Sequence, residues 1–354
     1  MNVRNLTLAL ALGLCAPLLS QPAPVLDEKV RQLAAAKVAA GVYPGLVIGV
    51  VSGGRQEIAG FGSAADDRKR EPDGNTVYEI GSVTKTLTAL LLADAVERGE
   101  ATLDQPVQQL LPDYTIPKSG DRAITLLDLA TQTSGLPRLP DNLLPKDPTN
   151  PYADYTPLRL KEFLATCRLS RTPGEGYEYS NLGFGLLGQA LAARAHLPYE
   201  ELMKKRIAVP LGMPDTAIAL SPGMAERFAP GHDAAGKPAP AWDLGALQGA
   251  GAIRSTARDL LAYVAVHLRK GDGPLSKALS AVTRPERPTE DARRRIGLAW
   301  QIDSRRGPAI VWHNGMTGGY ASFVGFTADG ERGVVVLTNV SRDVGEIAFE
   351  ALLP

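Results

Sequence analysis

The sequence predicts a mixed α/β fold of the α+β kind: an antiparallel sheet flanked by terminal helices and interrupted by a large helical insertion. Three patterns predict it. Two strand-like runs stand near the start, further apolar runs separated by turn residues stand near the end, and most of the chain between them carries helical spacing. Strands that far apart in sequence, linked by hairpin turns at each end, pair most simply as one antiparallel sheet.

In order, Val25 to Ala40 places Val30, Leu33, Ala34 and Val38 on one side of a helix, stopped by Gly41 and Pro44. Gly45 to Val51 is a buried-strand run, Ser52-Gly53-Gly54 a turn, and Gln56 to Gly62 the returning strand. Helices are expected over Val83 to Arg98, Thr125 to Thr131, Leu182 to Ala195 and Tyr199 to Ala208, with a long loop from Pro137 to Pro157. Thr256-Ala257-Arg258-Asp259 reads as a capping box before a helix over Leu260 to Leu268. Strands are expected at Gly297 to Ile302, Ala309 to His313, Tyr320 to Phe326 and Gly333 to Thr338, and a last helix over Val344 to Leu352. Asp329 to Arg332 is a hairpin signal. The expected division is a leader at 1–22, a discontinuous sheet domain at 23–80 and 285–354, and a mainly helical domain at 81–284.

Arg4, the apolar stretch Leu6 to Leu19 and the small residues after it form a signal-peptide pattern, so the mature protein is expected to be exported, periplasmic or secreted, without a membrane span. Removal of Cys15 would leave Cys167 alone, read as a buried structural thiol in an amphipathic helix. With 38 basic and 38 acidic residues the chain is neutral, which excludes a nucleic-acid footprint; Arg293-Arg294-Arg295 reads as a solvated loop. The four histidines, at 196, 232, 267 and 313, lack metal-ligand spacing, and no cofactor is expected. His232-Asp233 reads as a loop pair, and Trp242, Trp300 and Trp312 as core or cleft walls.

Three motifs carry chemistry. Ser82-Val83-Thr84-Lys85 puts a hydroxyl and an amine one helical turn apart. A serine needs a neighbouring base to become a nucleophile, and a helix start offers backbone N–H groups to a developing oxyanion. Alone, the four residues read more simply as a helix cap at Ser82 and a solvated charge at Lys85. Tyr179-Ser180-Asn181 offers a proton relay, if a cation such as Lys85 lowers the phenol pKa, and a side-chain amide that either meets substrate or caps the next helix. His313-Asn314-Gly315 after Ile310-Val311-Trp312 reads as a strand end and glycine turn. Its imidazole meets a carboxylate when protonated and donates a hydrogen bond when neutral.

In this order the motifs resemble those of the penicillin-recognising serine hydrolases, especially class C β-lactamases and related DD-peptidases. The resemblance runs from about Leu26 to Ala351. It takes in Ile124 to Thr131 with Thr133-Ser134-Gly135-Leu136-Pro137, Val209-Pro210-Leu211-Gly212-Met213 and Gly249-Ala250-Gly251. It implies a β-lactamase/transpeptidase-like fold and an acyl-enzyme on Ser82, with Lys85 and Tyr179 moving protons. Asn181 would hold the substrate amide and orient Lys85. His313, Asn314 and Gly315 would line the substrate edge, and the N–H groups of Ser82 and Met316 would form the oxyanion hole. The substrate implied is a β-lactam, or a peptidoglycan peptide for a DD-carboxypeptidase or endopeptidase. An esterase, or a penicillin-binding receptor or inactive relative, are further readings. The sequence departs from class C enzymes in having H-N-G for the usual K-T-G, which makes any charge there pH-dependent, and Met316 where serine is usual.

Overall fold

The computed structural model describes residues 24–353 except 66–69, 270, 272, 274, 285 and 306, so the expected leader lies outside the described residues. One eight-stranded antiparallel sheet organises the chain. Its strands run, edge to edge, Arg55–Gly62, Gly45–Ser52, Arg332–Thr338, Ala321–Thr327, Ile310–Met316, Gln301–Asp303, Arg294–Ile296 and Arg287–Pro288. The early hairpin and the late strands meet where Leu46 to Ser52 pair with Thr338 to Arg332. The hairpin expected at Asp329 to Arg332 joins the two inner late strands, with Gly330 in the left-handed region.

Period-two alternation sends each strand's apolar residues to both faces of the sheet. Leu46, Ile48, Val50, Phe323, Val334 and Val336 face Val30 and Ala34 of the helix Glu28–Ala39 and Ile347, Ala348 and Ala351 of the helix Gly345–Leu352. Val47, Val51, Val324, Val335 and Leu337 face the opposite way, into a larger core with Leu260, Leu261 and Val264. At the chain's entry, the Val25 and Leu26 amides donate to Glu57 Oε2 at 2.6 and 2.9 Å, pinning the first helix to the edge hairpin.

The helical segments lie on that second face around Thr84–Glu97, which is buried on every side from Thr84 to Ala95. Among the described residues no helix is long and apolar enough to cross a membrane.

Several local expectations change. Arg294 and Arg295 belong to a short strand rather than a loop. Gly297 to Trp300 is not a strand but a tight connection, with Ala299 in the left-handed region. The helix expected over Tyr199 to Ala208 changes to a π turn at Lys204–Ala208. The helix expected from Leu260 begins at Ala257, because the Thr256 hydroxyl caps the Asp259 amide. Asp259 does not complete a capping box; its carboxylate takes the Asp215 amide and the Thr216 hydroxyl instead. Cys167 is half-buried at a helix C-terminus, with burial pushing its thiol up to about 11, so it stays protonated. His232 sits in a two-residue strand of a small hairpin that Asp233 closes.

Candidate active site

Ser82 does not open the α-helix directly. Gly81–Val83 form a 3₁₀ turn, and the helix follows from Thr84. Gly81 has φ +49°, and a Cβ there would stand 2.8 Å from the Met316 nitrogen. The turn is thereby pressed onto the strand carrying H-N-G. Gly315 is equally constrained: its Cβ would meet the Ile80 carbonyl oxygen at 2.1 Å and the Ser82 nitrogen at 2.9 Å. The Ser322 hydroxyl, on the next strand, donates to the Ile80 carbonyl at 2.7 Å and fixes the same turn.

Lys85, fully buried, reaches back one helical turn. Its Nζ lies 2.9 Å from Ser82 Oγ and donates to the Ala250 carbonyl at 2.6 Å. Burial holds its pKa well below the ordinary lysine value, and the charge of Arg138 adds to that. The Tyr179 hydroxyl lies 2.7 Å from the same Oγ. Enclosure of the phenol raises its pKa. The hydrogen bond to Ser82 and the charge of Arg138 oppose this without overcoming it. The expectation that Lys85 lowers the Tyr179 pKa is therefore corrected: burial biases both groups, an amine and a phenol flanking one hydroxyl, toward their uncharged forms.

The Tyr179 segment is fixed from behind by Gln132. Its backbone carbonyl accepts from the Glu178 amide and its side-chain Oε1 from the Ser180 amide, both at 2.7 Å. Gln132 adopts φ +59°, a conformation unusual for a side chain of this kind and maintained by those bonds. Ser180, not Asn181, caps the helix Asn181–Ala195, accepting from the Gly183 amide at 2.9 Å. Asn181 is thus free of the capping duty. Its Oδ1 is buried without a partner among the described residues. It makes no hydrogen bond to Lys85 among them, and Lys85 is oriented by Ser82 and Ala250 instead.

The H-N-G motif lies within a strand, Ile310–Met316, and not after one. His313 and Gly315 face inward; Asn314 and Met316 are exposed. His313 Nδ1 approaches the Asn314 carbonyl at 2.6 Å, and burial, with the Lys85 charge, pushes the imidazole down to about 3. A neutral ring replaces the pH-dependent charge expected there. The Thr317 amide bonds to the Tyr320 carbonyl at 3.0 Å, and antiparallel alternation turns the Met316 N–H away from that neighbour. The strand on the other side stops pairing at Gln301 opposite Trp312. The Met316 N–H is therefore left on an open edge beside Ser82.

A narrow cleft of about 30 Å³ opens over Ser82, lined among others by Tyr152, Asn181, Trp242, Ala250 and Met316. Trp242 packs against Tyr152 with ring centroids 5.4 Å apart, and its indole N–H donates to the Thr149 carbonyl at 2.9 Å. Asp243 and Asn150 add a further tie, so the 137–157 loop and the Trp242 segment form one strap over the cleft. Trp300 is wholly buried and Trp312 packs on Phe323 and Phe349, away from the cleft. The motifs marked the serine hydroxyl, the amine and the phenol. They gave no sign of Gln132, Arg138, Tyr152 or the Ala250 carbonyl, which act through tertiary contacts.

The family model described as Beta-lactamase matches residues 30–352. The chain belongs to the beta-lactamase family. Members of this family are serine hydrolases, and the present one carries the penicillin-recognising fold. It is 30% identical over 331 residues to a beta-lactamase of Pseudomonas fluorescens, an alignment covering 83% of this chain and 88% of that protein. It is also 30% identical over 225 residues to the D-alanyl-D-alanine-carboxypeptidase/endopeptidase AmpH of Escherichia coli (strain K12), covering 63% of this chain and 57% of AmpH. The solved class C beta lactamase from Rhodobacter sphaeroides superposes with TM-score 0.77 at 25% identity, over 92% of this chain and 99% of that one. The antiparallel sheet with its helical insertion is the fold of that beta-lactamase.

Proposed function

We propose that this beta-lactamase-family enzyme is exported and opens β-lactam amides by a class C-like route through an acyl-enzyme on Ser82. The observation that carries the reading is the three-way contact at Ser82 Oγ, with Lys85 Nζ at 2.9 Å and the Tyr179 hydroxyl at 2.7 Å. A neutral amine accepts the serine proton while Oγ bonds to the carbonyl carbon. The oxyanion is met by the N–H groups of Ser82 and Met316. As the C–N bond breaks, the Tyr179 hydroxyl gives its proton to the departing nitrogen and regains one from Lys85. Water then adds to the ester carbon, losing its proton to the same pair, which returns a proton to Ser82 Oγ as its bond to that carbon breaks and the acid departs. Asn181 Oδ1, buried and without a partner among the described residues, suits an amide N–H on the acyl portion.

A D-alanyl-D-alanine carboxypeptidase or endopeptidase reading has its own support. The open edge at Asn314 to Met316 suits an extended peptide added as a strand. The two readings share acylation and differ in deacylation. Mixing the protein with a penicillin while following ring opening and intact mass separates them: rapid opening without a lasting adduct supports the β-lactamase, and a persistent adduct the peptidase. Neither opening nor adduct contradicts both.

A further inference from the structure

We propose that Arg138 is the cation that receives the carboxylate on the leaving-group side of the substrate, a specificity-determining residue that does the work a charged third motif would do. The inference rests on the acyl-transfer reading of Ser82. It starts from a charge deficit. The substrates of that reading carry a carboxylate one carbon from the nitrogen that departs, yet the H-N-G motif offers no charge: His313 is buried, its Nδ1 engaged with the Asn314 carbonyl. Lys85 is enclosed between Ser82 and Ala250. Arg254 is buried and committed to Glu79 and to the Ile218 and Trp242 carbonyls. Arg171 is paired with Glu178.

Arg138 differs from all of these. It is exposed, and among the described residues it has no carboxylate partner and no side-chain hydrogen bond. It is not loose, however. Its backbone carbonyl accepts from the Asn181 and Leu182 amides at 3.0 and 3.3 Å, which anchors it to the Y-x-N segment. Its guanidinium carbon lies 4.9 Å from the centre of the Tyr179 ring. Stacking on an aromatic face holds a guanidinium while leaving its N–H fork free for a planar anion. The position also sets which part of the substrate it meets. Tyr179 hands its proton to the departing nitrogen, so a cation stacked on Tyr179 stands on the leaving-group side. The charge acts on the site, since it bears on Lys85, Tyr179 and Tyr152 alike.

The test uses two esters with the same acetyl group, 4-nitrophenyl acetate and the acetate of a nitrophenol carrying a carboxylate, with a penicillin as a third substrate. Rates are read on the alkaline plateau, where Lys85 is deprotonated in every variant. Arg138→Met should cut kcat/KM for the carboxylated ester about tenfold, chiefly through KM, and leave the neutral ester within about twofold. Arg138→Lys should recover part of the loss, and Arg138→Glu should deepen it. Equal losses on both esters would make Arg138 a support for Tyr179 and overturn the proposal; unchanged discrimination would overturn it too. If penicillin fails to acylate the protein while the ester pair still separates, the β-lactam reading falls and the role of Arg138 stands.

Discussion

The chemistry at Ser82 depends on two neighbours that burial biases toward their uncharged forms. Lys85 is desolvated, which disfavours the ammonium; Tyr179 is desolvated, which disfavours the phenolate. The signs matter for activity. A lysine whose pKa is lowered loses its proton at lower pH than a free lysine, so acylation should rise with pH through that lowered value and then hold level. Lys85→Arg, which cannot deprotonate, should cost about 10³-fold or more in kcat/KM at neutral pH, with the rising limb abolished. Tyr179→Phe should slow reactions with poor leaving groups more than those with good ones, since only the former need its proton. A comparison of amide and activated-ester substrates checks this. Ser82 and Lys85 were legible because three residues on a helix bring side chains together wherever the helix is placed. The protonation states were not legible, because they follow from burial by segments remote in sequence.

At the level of elements, the site is a contact between a turn and a strand. Gly315 leaves no room for a side chain between the H-N-G strand and the Ile80–Ser82 turn. Gly315→Ala should push the two apart, destabilising the protein by about 1–3 kcal/mol and lowering kcat more than it raises KM, because the oxyanion donors move. Denaturant unfolding beside steady-state kinetics reads both effects. The strap is the second element. Trp242→Ala removes the stack on Tyr152 and the bond to Thr149, and should raise the relative rate on bulky acyl groups about tenfold. The strands and helices of this region followed from period and turn residues. The inward face of His313 did not, because the sequence shows a strand ending in glycine and not the turn that packs upon it. The strap was read only as a long loop, since its partner segment lies far along the chain.

The whole molecule joins an early hairpin to late strands, and the short turn that leads into the buried helix Thr84–Glu97 holds Ser82 against the H-N-G strand. Two histidines pack into this core, His313 buried and His267 half-buried. His267 stacks on Phe326 and meets Trp300 edge-on, and burial pushes it, like His313, down to about 3. Between about pH 6.5 and 3 the unfolded chain therefore binds more protons at these residues than the folded one, so stability rises with pH across that window and is lost on acidification, by about 1.4 kcal/mol per pH unit for each. Asp259, raised from 3.8 to about 6, acts with the opposite sign between those values. His267→Phe should flatten the acid arm of the stability curve, as urea midpoints at pH 4 and pH 7 would show. The sheet with its helical insertion was legible from the order of strand and helix patterns; the burial of these rings was set by packing between segments the order alone does not join. The central claim is that Ser82 is acylated with Lys85 as its base. Its most direct measurement is intact and peptide mass after a rapid quench with excess penicillin. A single adduct of the antibiotic's mass on the peptide containing Ser82, absent in Ser82→Ala, is the predicted result; an adduct that persists in Ser82→Ala, or ring opening that proceeds undiminished in that variant, would contradict it.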